Sequence, residues 1–227
     1  MKKIIIFDLD NTFYNYQESH DLALNSVFDH QTLFTDYELF SNEYLKARKK
    51  VKTILKKSTS KNNRSIYFKF MLENINFLDL SYAVELEKLY WSHFINKTSI
   101  DNTVIKTLKK KKSEDTVYHL YTNLDTNTQL MKLNIWKLNL FDKVVTSEEA
   151  GYEKPDKNFI SFVEKDLNKL LEKGFKFYAV GDSVENDLKP WKIKYEAKTF
   201  LINNIEESNY VDYTVDLKES LDIIFKD

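Results

Sequence analysis

The first block of apolar residues is short and dense. Ile4, Ile5, Ile6 and Phe7 follow one another without a polar break, and two carboxylates, Asp8 and Asp10, come directly after them. A β-branched run of this length, ended by polar residues, predicts a buried strand over 3–8. The period then changes. In "DLALNSVFDH", "YELFSNEYLKARKKVKTILKK", "SIYFKFMLENI" and "YAVELEKLYWSHF" the apolar residues recur every third or fourth position. That is the spacing of one helix face, and it predicts about four helices between 18 and 95. From 100 onward two patterns alternate. Strand-like runs at 116–123, 142–147, 176–183, 198–202 and 210–215 are separated by helical patterns, and "KESLDIIF" closes the chain as a helix.

Strand–helix alternation implies a parallel sheet with right-handed crossovers and helices on its faces, a Rossmann-like α/β core. The core begins with residues 1–14 and resumes at 98–227, so the helical block 15–97 reads as a separate unit inserted after the first strand. Its most polar connection is "KKSTSKNNRS" at 56–65. In such sheets ligands bind beyond the carboxyl ends of the strands. Asp8, Asp10 and Thr12 fall at the first such end, Thr122 and Asn123 at the second, Lys154 after the third, and Asp182 and Asp187 after the fourth.

Composition narrows the options. Lys and Arg number 34 and Asp and Glu 35, a formal net charge of −1, so no global field attracts a nucleic acid polymer or an anionic membrane. No apolar run approaches the roughly 18 residues of a spanning helix. The N-terminal apolar stretch stops at Asp8, too early for a secretory signal, and the expected location is cytoplasmic. Cysteine is absent, which excludes disulfides, thiol catalysis and cysteine-ligated metals.

Residues two apart on a strand point to one face, so Asp8 and Asp10 are aimed together from the end of the most apolar strand. Unpaired carboxylates in that position repel and lose hydration. With Asp182 and Asp187, up to four acids converge with one lysine. A hard divalent cation with oxygen ligands offsets the repulsion, and Mg²⁺ fits. The lysine, hydroxyls and free backbone N–H groups suit a bound anion.

The stretches "DLDNT", "YTN", "EKPD" and "GDSVEND" resemble, in order and spacing, the four motifs of the haloacid dehalogenase-like (HAD) hydrolase superfamily. "FDKVVTSEEAGYEKPDKNFI" is similar to subfamily I phosphatases with a helical C1-type cap, in the neighbourhood of the pyrimidine 5′-nucleotidases and N-acylneuraminate-9-phosphatases. The resemblance implies a Mg²⁺-dependent phosphatase acting on a small phosphate ester, a nucleoside monophosphate or sugar phosphate, by way of an aspartyl-phosphate. Asp8 is then the nucleophile. Asp10 is the general acid and base, and its backbone carbonyl a metal ligand. Thr12, Thr122 and Asn123 hold the loop and phosphate oxygens. Lys154 stabilises the transferring phosphoryl group, Asp8 and Asp182 ligate the metal directly, and Asp187 is a further ligand or supports one. The dehalogenases of the superfamily lack the second aspartate of the first motif, so Asp10 favours phosphate esters. A phosphomutase of the same superfamily and a non-catalytic binding protein are the alternatives, and a monomer or homodimer is expected.

The pattern departs from the resemblance in two places. Leu124 stands where many relatives have glycine, and Pro190 and Trp191 follow the last motif. In the helical block the basic run 46–57 reads as a solvated face or as attraction for an anionic substrate. Arg48, Lys61 and Arg64 are candidate contacts, Tyr67, Phe68 and Phe70 candidate packing residues, and His119 a structural histidine.

Overall fold

A computed structural model describes residues 1–56 and 58–227; Lys57, the last residue of the basic run, lies outside them. The chain separates into two compact units, one of Met1–Asn15 with Ser99–Asp227, the other of Tyr16–Thr98.

The first unit is built on a six-stranded sheet: β1 (Lys3–Phe7), β2 (Thr116–Thr122), β3 (Lys143–Thr146), β4 (Lys176–Gly181), β5 (Lys198–Ile202) and β6 (Tyr213–Val215). Their spatial order is β3-β2-β1-β4-β5-β6, and every pairing is parallel. All five residues of β1 are buried, as expected for a strand with neighbours on both edges and a layer on both faces. Registers Phe7↔Leu120 and Phe7↔Val180 bring the ends of β1, β2 and β4 level. One face buries Ile4, Ile6, Tyr121, Phe159, Val163, Phe177 and Trp191 in a continuous cluster.

The second unit contains four α-helices among the described residues: α1 (Tyr16–His30), α2 (Tyr37–Ile54), α3 (Arg64–Asn74) and α4 (Leu80–Lys97). Its interior is aromatic: Phe40, Tyr44, Tyr67, Phe68, Tyr90 and Phe94 are fully buried, so Tyr67 and Phe68 pack as the sequence predicts. No helix of the described residues is long and apolar enough to cross a membrane.

The first unit's remaining helices are α5 (Asn102–Lys111), α6 (Thr126–Ile135), a single turn α7 (Ser147–Ala150), α8 (Lys157–Glu172), α9 (Lys189–Tyr195) and α10 (Leu217–Lys226). With little glycine or proline available, helix starts fall to Asp. Asp101, Asp125, Asp156 and Asp216 each accept a hydrogen bond from a first-turn backbone N–H, a contribution of about 1 kcal/mol per cap. This occupies Asp125 and Asp156 as caps, although both follow strand ends. The helix predicted over 185–195 divides. Val184–Leu188 forms one wide π-helical turn, and α9 begins at Lys189 with Pro190 in its first turn, where a missing N–H costs nothing.

Candidate active site

β1 occupies the position where the strand order reverses, so the chain leaves its carboxyl end toward crossovers on both sides, the usual crevice of an open α/β sheet. Asp8 is the first residue beyond it. Its N–H donates to the Val180 carbonyl at 3.0 Å, and its side chain is buried. Lys154 reaches it from the loop before α8: Nζ donates to Asp8 Oδ1 at 2.7 Å, to Asp187 Oδ1 at 2.6 Å and to the Tyr121 carbonyl at 2.5 Å. The wide turn after β4 delivers Asp187, whose Oδ2 accepts from the Ser183 N–H at 3.1 Å. Asp182, the first residue beyond β4, accepts from Asn11 Nδ2 at 3.1 Å. Carboxylate oxygens of Asp8, Asp182 and Asp187 lie within 4.8 Å of one another.

The Asp10 side chain stands apart from that trio. Lys132, with no exposed side-chain surface, donates to Asp10 Oδ1 at 2.7 Å. The Tyr14 hydroxyl donates to the same oxygen, and Gln129 Nε2 lies 3.0 Å from Oδ2. Gln129 also reaches Thr122 Oγ1 at 2.6 Å, so one amide links Asp10 to the end of β2. The Asn123 side chain accepts from the Lys154 N–H at 2.8 Å and donates to the Lys154 carbonyl at 3.3 Å, fastening that loop to β2. Thr12 is buried, its hydroxyl makes no hydrogen bond, and it lines a separate pocket of about 290 Å³ with Tyr14, Asp101 and Leu217.

Tyr14, Gln129 and Lys132 are absent from the expected set. The signal was present for two of them. Gln129 and Lys132 share a helix face with Leu133 and Trp136 at spacings of three and four, so two polar side chains occupy positions where apolar ones belong. Leu124 adopts φ 151°, a region that favours glycine. Its side chain is buried, and its N–H donates to Ser147 Oγ at 3.0 Å. His119 is buried, with Nδ1 2.7 Å from the Tyr121 hydroxyl, and burial lowers its pKa to about 4.

The two first-motif aspartates occupy opposite electrostatic states. Burial raises Asp8, and although Lys154 opposes this, the charges of Asp187 and Asp10 help bring its pKa to about 7. Burial and the Asp8 charge raise Asp182 to about 6. For Asp10, burial is overcome by the Lys132 charge and by hydrogen bonds from Lys132, Tyr14 and Gln129, and the carboxyl is held below its ordinary range. Around Lys154 three carboxylates face one ammonium. Such an excess of hard oxygen donors matches a divalent cation of the Mg²⁺ class.

No family model matches the chain. The ribulose-1,5-bisphosphate 5-phosphatase of Halopiger xanaduensis is 30% identical over 193 residues, covering 83% of this chain and 80% of that protein. The glyceraldehyde 3-phosphate phosphatase of Methanocaldococcus jannaschii is 30% identical, covering 99% of this chain and 97% of that protein. Among solved structures, the magnesium-bound HAD hydrolase YfnB of Bacillus subtilis superposes with a TM-score of 0.69 at 20% identity, over 99% of both chains. The chain belongs to the haloacid dehalogenase-like hydrolase superfamily.

Proposed function

We propose that this phosphoric monoester hydrolase removes phosphate from a small sugar phosphate through an aspartyl-phosphate on Asp8. The observation that carries the reading is Lys154 Nζ, held between Asp8 and Asp187 at 2.7 and 2.6 Å beside a second aspartate two residues along. The names of the two curated relatives support a sugar phosphate as substrate.

Asp8 Oδ attacks phosphorus, and the bond from phosphorus to the ester oxygen breaks. Asp10 gives its proton to that oxygen, which leaves as the alcohol. Water then attacks phosphorus, Asp10 accepts the water proton, and the bond to Asp8 breaks to release inorganic phosphate. Lys132 keeps Asp10 ionised at rest, the state needed for the second half; an arriving phosphate anion raises the affinity of Asp10 for the proton needed in the first. Lys154 holds the negative charge of Asp8 and the transferring group. Thr122 and the Asn123 backbone are assigned to phosphate oxygens, and Thr12 to the loop that carries Asp10. Asp8, Asp182, Asp187 and the Asp10 carbonyl would hold Mg²⁺, which when bound neutralises the carboxylates so that an anionic ester can approach.

Release of inorganic phosphate from a panel of sugar phosphates in the presence of Mg²⁺ tests the proposal. The wild-type chain releases phosphate from at least one member, whereas Asp8→Asn releases none. Equal release by Asp8→Asn overturns the assignment of the nucleophile.

A further inference from the structure

The loop that follows β2 is held in a conformation its own sequence resists. Leu124 adopts φ 151°, a region open to glycine and costly for a residue with a Cβ. The residue is buried, so its peptide groups need partners inside the protein. One side chain supplies both. The Leu124 N–H donates to Ser147 Oγ at 3.0 Å, and the Ser147 hydroxyl donates to the Leu124 carbonyl at 3.2 Å. Ser147 has no exposed surface. A hydroxyl donates one proton and accepts at two lone pairs, so serine can hold both peptide groups of one residue and alanine can hold neither.

The neighbours of Ser147 extend this hold. Register Thr122↔Thr146 sets the end of β3 beside the end of β2. The hydroxyls of Thr146 and Thr126 lie 2.7 Å apart, and the Glu148 carboxylate accepts from the Thr126 N–H at 2.8 Å. Three consecutive residues, 146–148, thus make four hydrogen bonds to the segment 124–126. That segment follows Asn123, whose side chain pairs with both the N–H and the carbonyl of Lys154. A chain of short contacts therefore runs from Ser147 through Leu124 and Asn123 to the backbone of Lys154.

We propose that Ser147 is a positioning residue for the phosphate-binding loop. Its hydroxyl holds Leu124 in the strained conformation, and so fixes the Asn123 backbone and, through the Asn123 side chain, Lys154. The inference rests on the phosphatase reading above. Without the hydroxyl, the strained conformer becomes one of several, and apparent affinity for a phosphate group falls with the fraction of chains that still hold it. Saturating substrate draws the chains back to that conformer, so the effect falls on KM rather than on kcat.

Phosphate release by the full chain with Mg²⁺ compares wild type, Ser147→Ala and the double variant Ser147→Ala/Leu124→Gly. In Ser147→Ala, KM and the constant for competitive inhibition by inorganic phosphate are expected to rise together by about tenfold to a hundredfold, the loss of a buried hydrogen-bonding partner, with kcat little changed. Glycine at 124 reaches φ 151° without the steric cost, so the double variant recovers most of the affinity; a general loss of stability would not be recovered by a second substitution of this kind. Unchanged KM and inhibition in Ser147→Ala, a loss confined to kcat, or a double variant as weak as Ser147→Ala overturns the inference. If the wild type hydrolyses no ester, the phosphatase reading fails, and calorimetric titration with inorganic phosphate decides this one: weaker binding by Ser147→Ala supports the positioning role, and equal or absent binding in both proteins overturns it. If Ser147→Ala does not fold, Ser147→Cys, whose thiol is a weak donor and acceptor, takes its place in each comparison.

Discussion

Gly181 fixes the position of Asp187, and adding one methyl group there tests the architecture of the site. The glycine ends β4 with an ordinary φ, so its role is spatial rather than conformational. A Cβ at this position would stand 2.4 Å from Asp187 Cβ and 2.8 Å from both Cγ and Oδ2. Carbons in contact sit about 3.5–4.0 Å apart, so the wide turn bearing Asp187 must retreat by roughly 1 Å. Rotating the side chain gives no relief, because the nearest atom is Cβ, which moves only with the backbone. The displacement breaks the 2.6 Å bond from Lys154 and leaves a buried ammonium with less compensation. Breaking a buried pair costs about 3–5 kcal/mol, equivalent to a fall in Tm of about 6–20 °C for a chain of this size. Gly181→Ala is therefore expected to fold at low temperature, melt early and lose most phosphate release. Calorimetry and a phosphate-release assay measure the two effects. A variant with wild-type Tm and activity would show that Asp187 is not packed against Gly181, and the account of the turn after β4 would fall.

Lys132→Met removes the cation that holds Asp10. We expect kcat to fall by about 10²–10⁴, the range of a general acid–base contribution, with KM little changed; a fall confined to KM would place Lys132 in substrate binding instead. The pH dependence of the metal-free protein has a defined sign. Asp8 and Asp182, raised to about 7 and about 6, bind protons in the folded state that the unfolded chain releases above about pH 4. Stability in EDTA therefore declines as pH rises from about 4 to about 7, by a few kcal/mol. Lowered carboxylates such as Asp10 and Asp212 act oppositely, but their window closes below about pH 5. Urea denaturation across that range measures the slope, which saturating Mg²⁺ is expected to flatten; a pH-independent midpoint in EDTA would contradict the burial of these groups.

Local periodicity and motif order determined much of this protein. The β-branched run before Asp8, the helical period from 18 to 95 and the later strand–helix alternation each rest on neighbours in the chain, so they can be read without a structure. The four motif stretches likewise place Asp8, Lys154, Asp182 and Asp187 at strand ends, because a parallel sheet brings successive ends to one edge. Tertiary structure decided which acids share a partner. Asp10 lies two residues from Asp8, yet it is bound by Lys132, more than a hundred positions away, and this contact gives the two aspartates opposite proton affinities. It also decided that Arg64, in a stretch that reads as polar loop and helix start, is buried among tyrosines without an acid. A charge's energy depends on everything within a few ångströms, and sequence distance does not measure that separation.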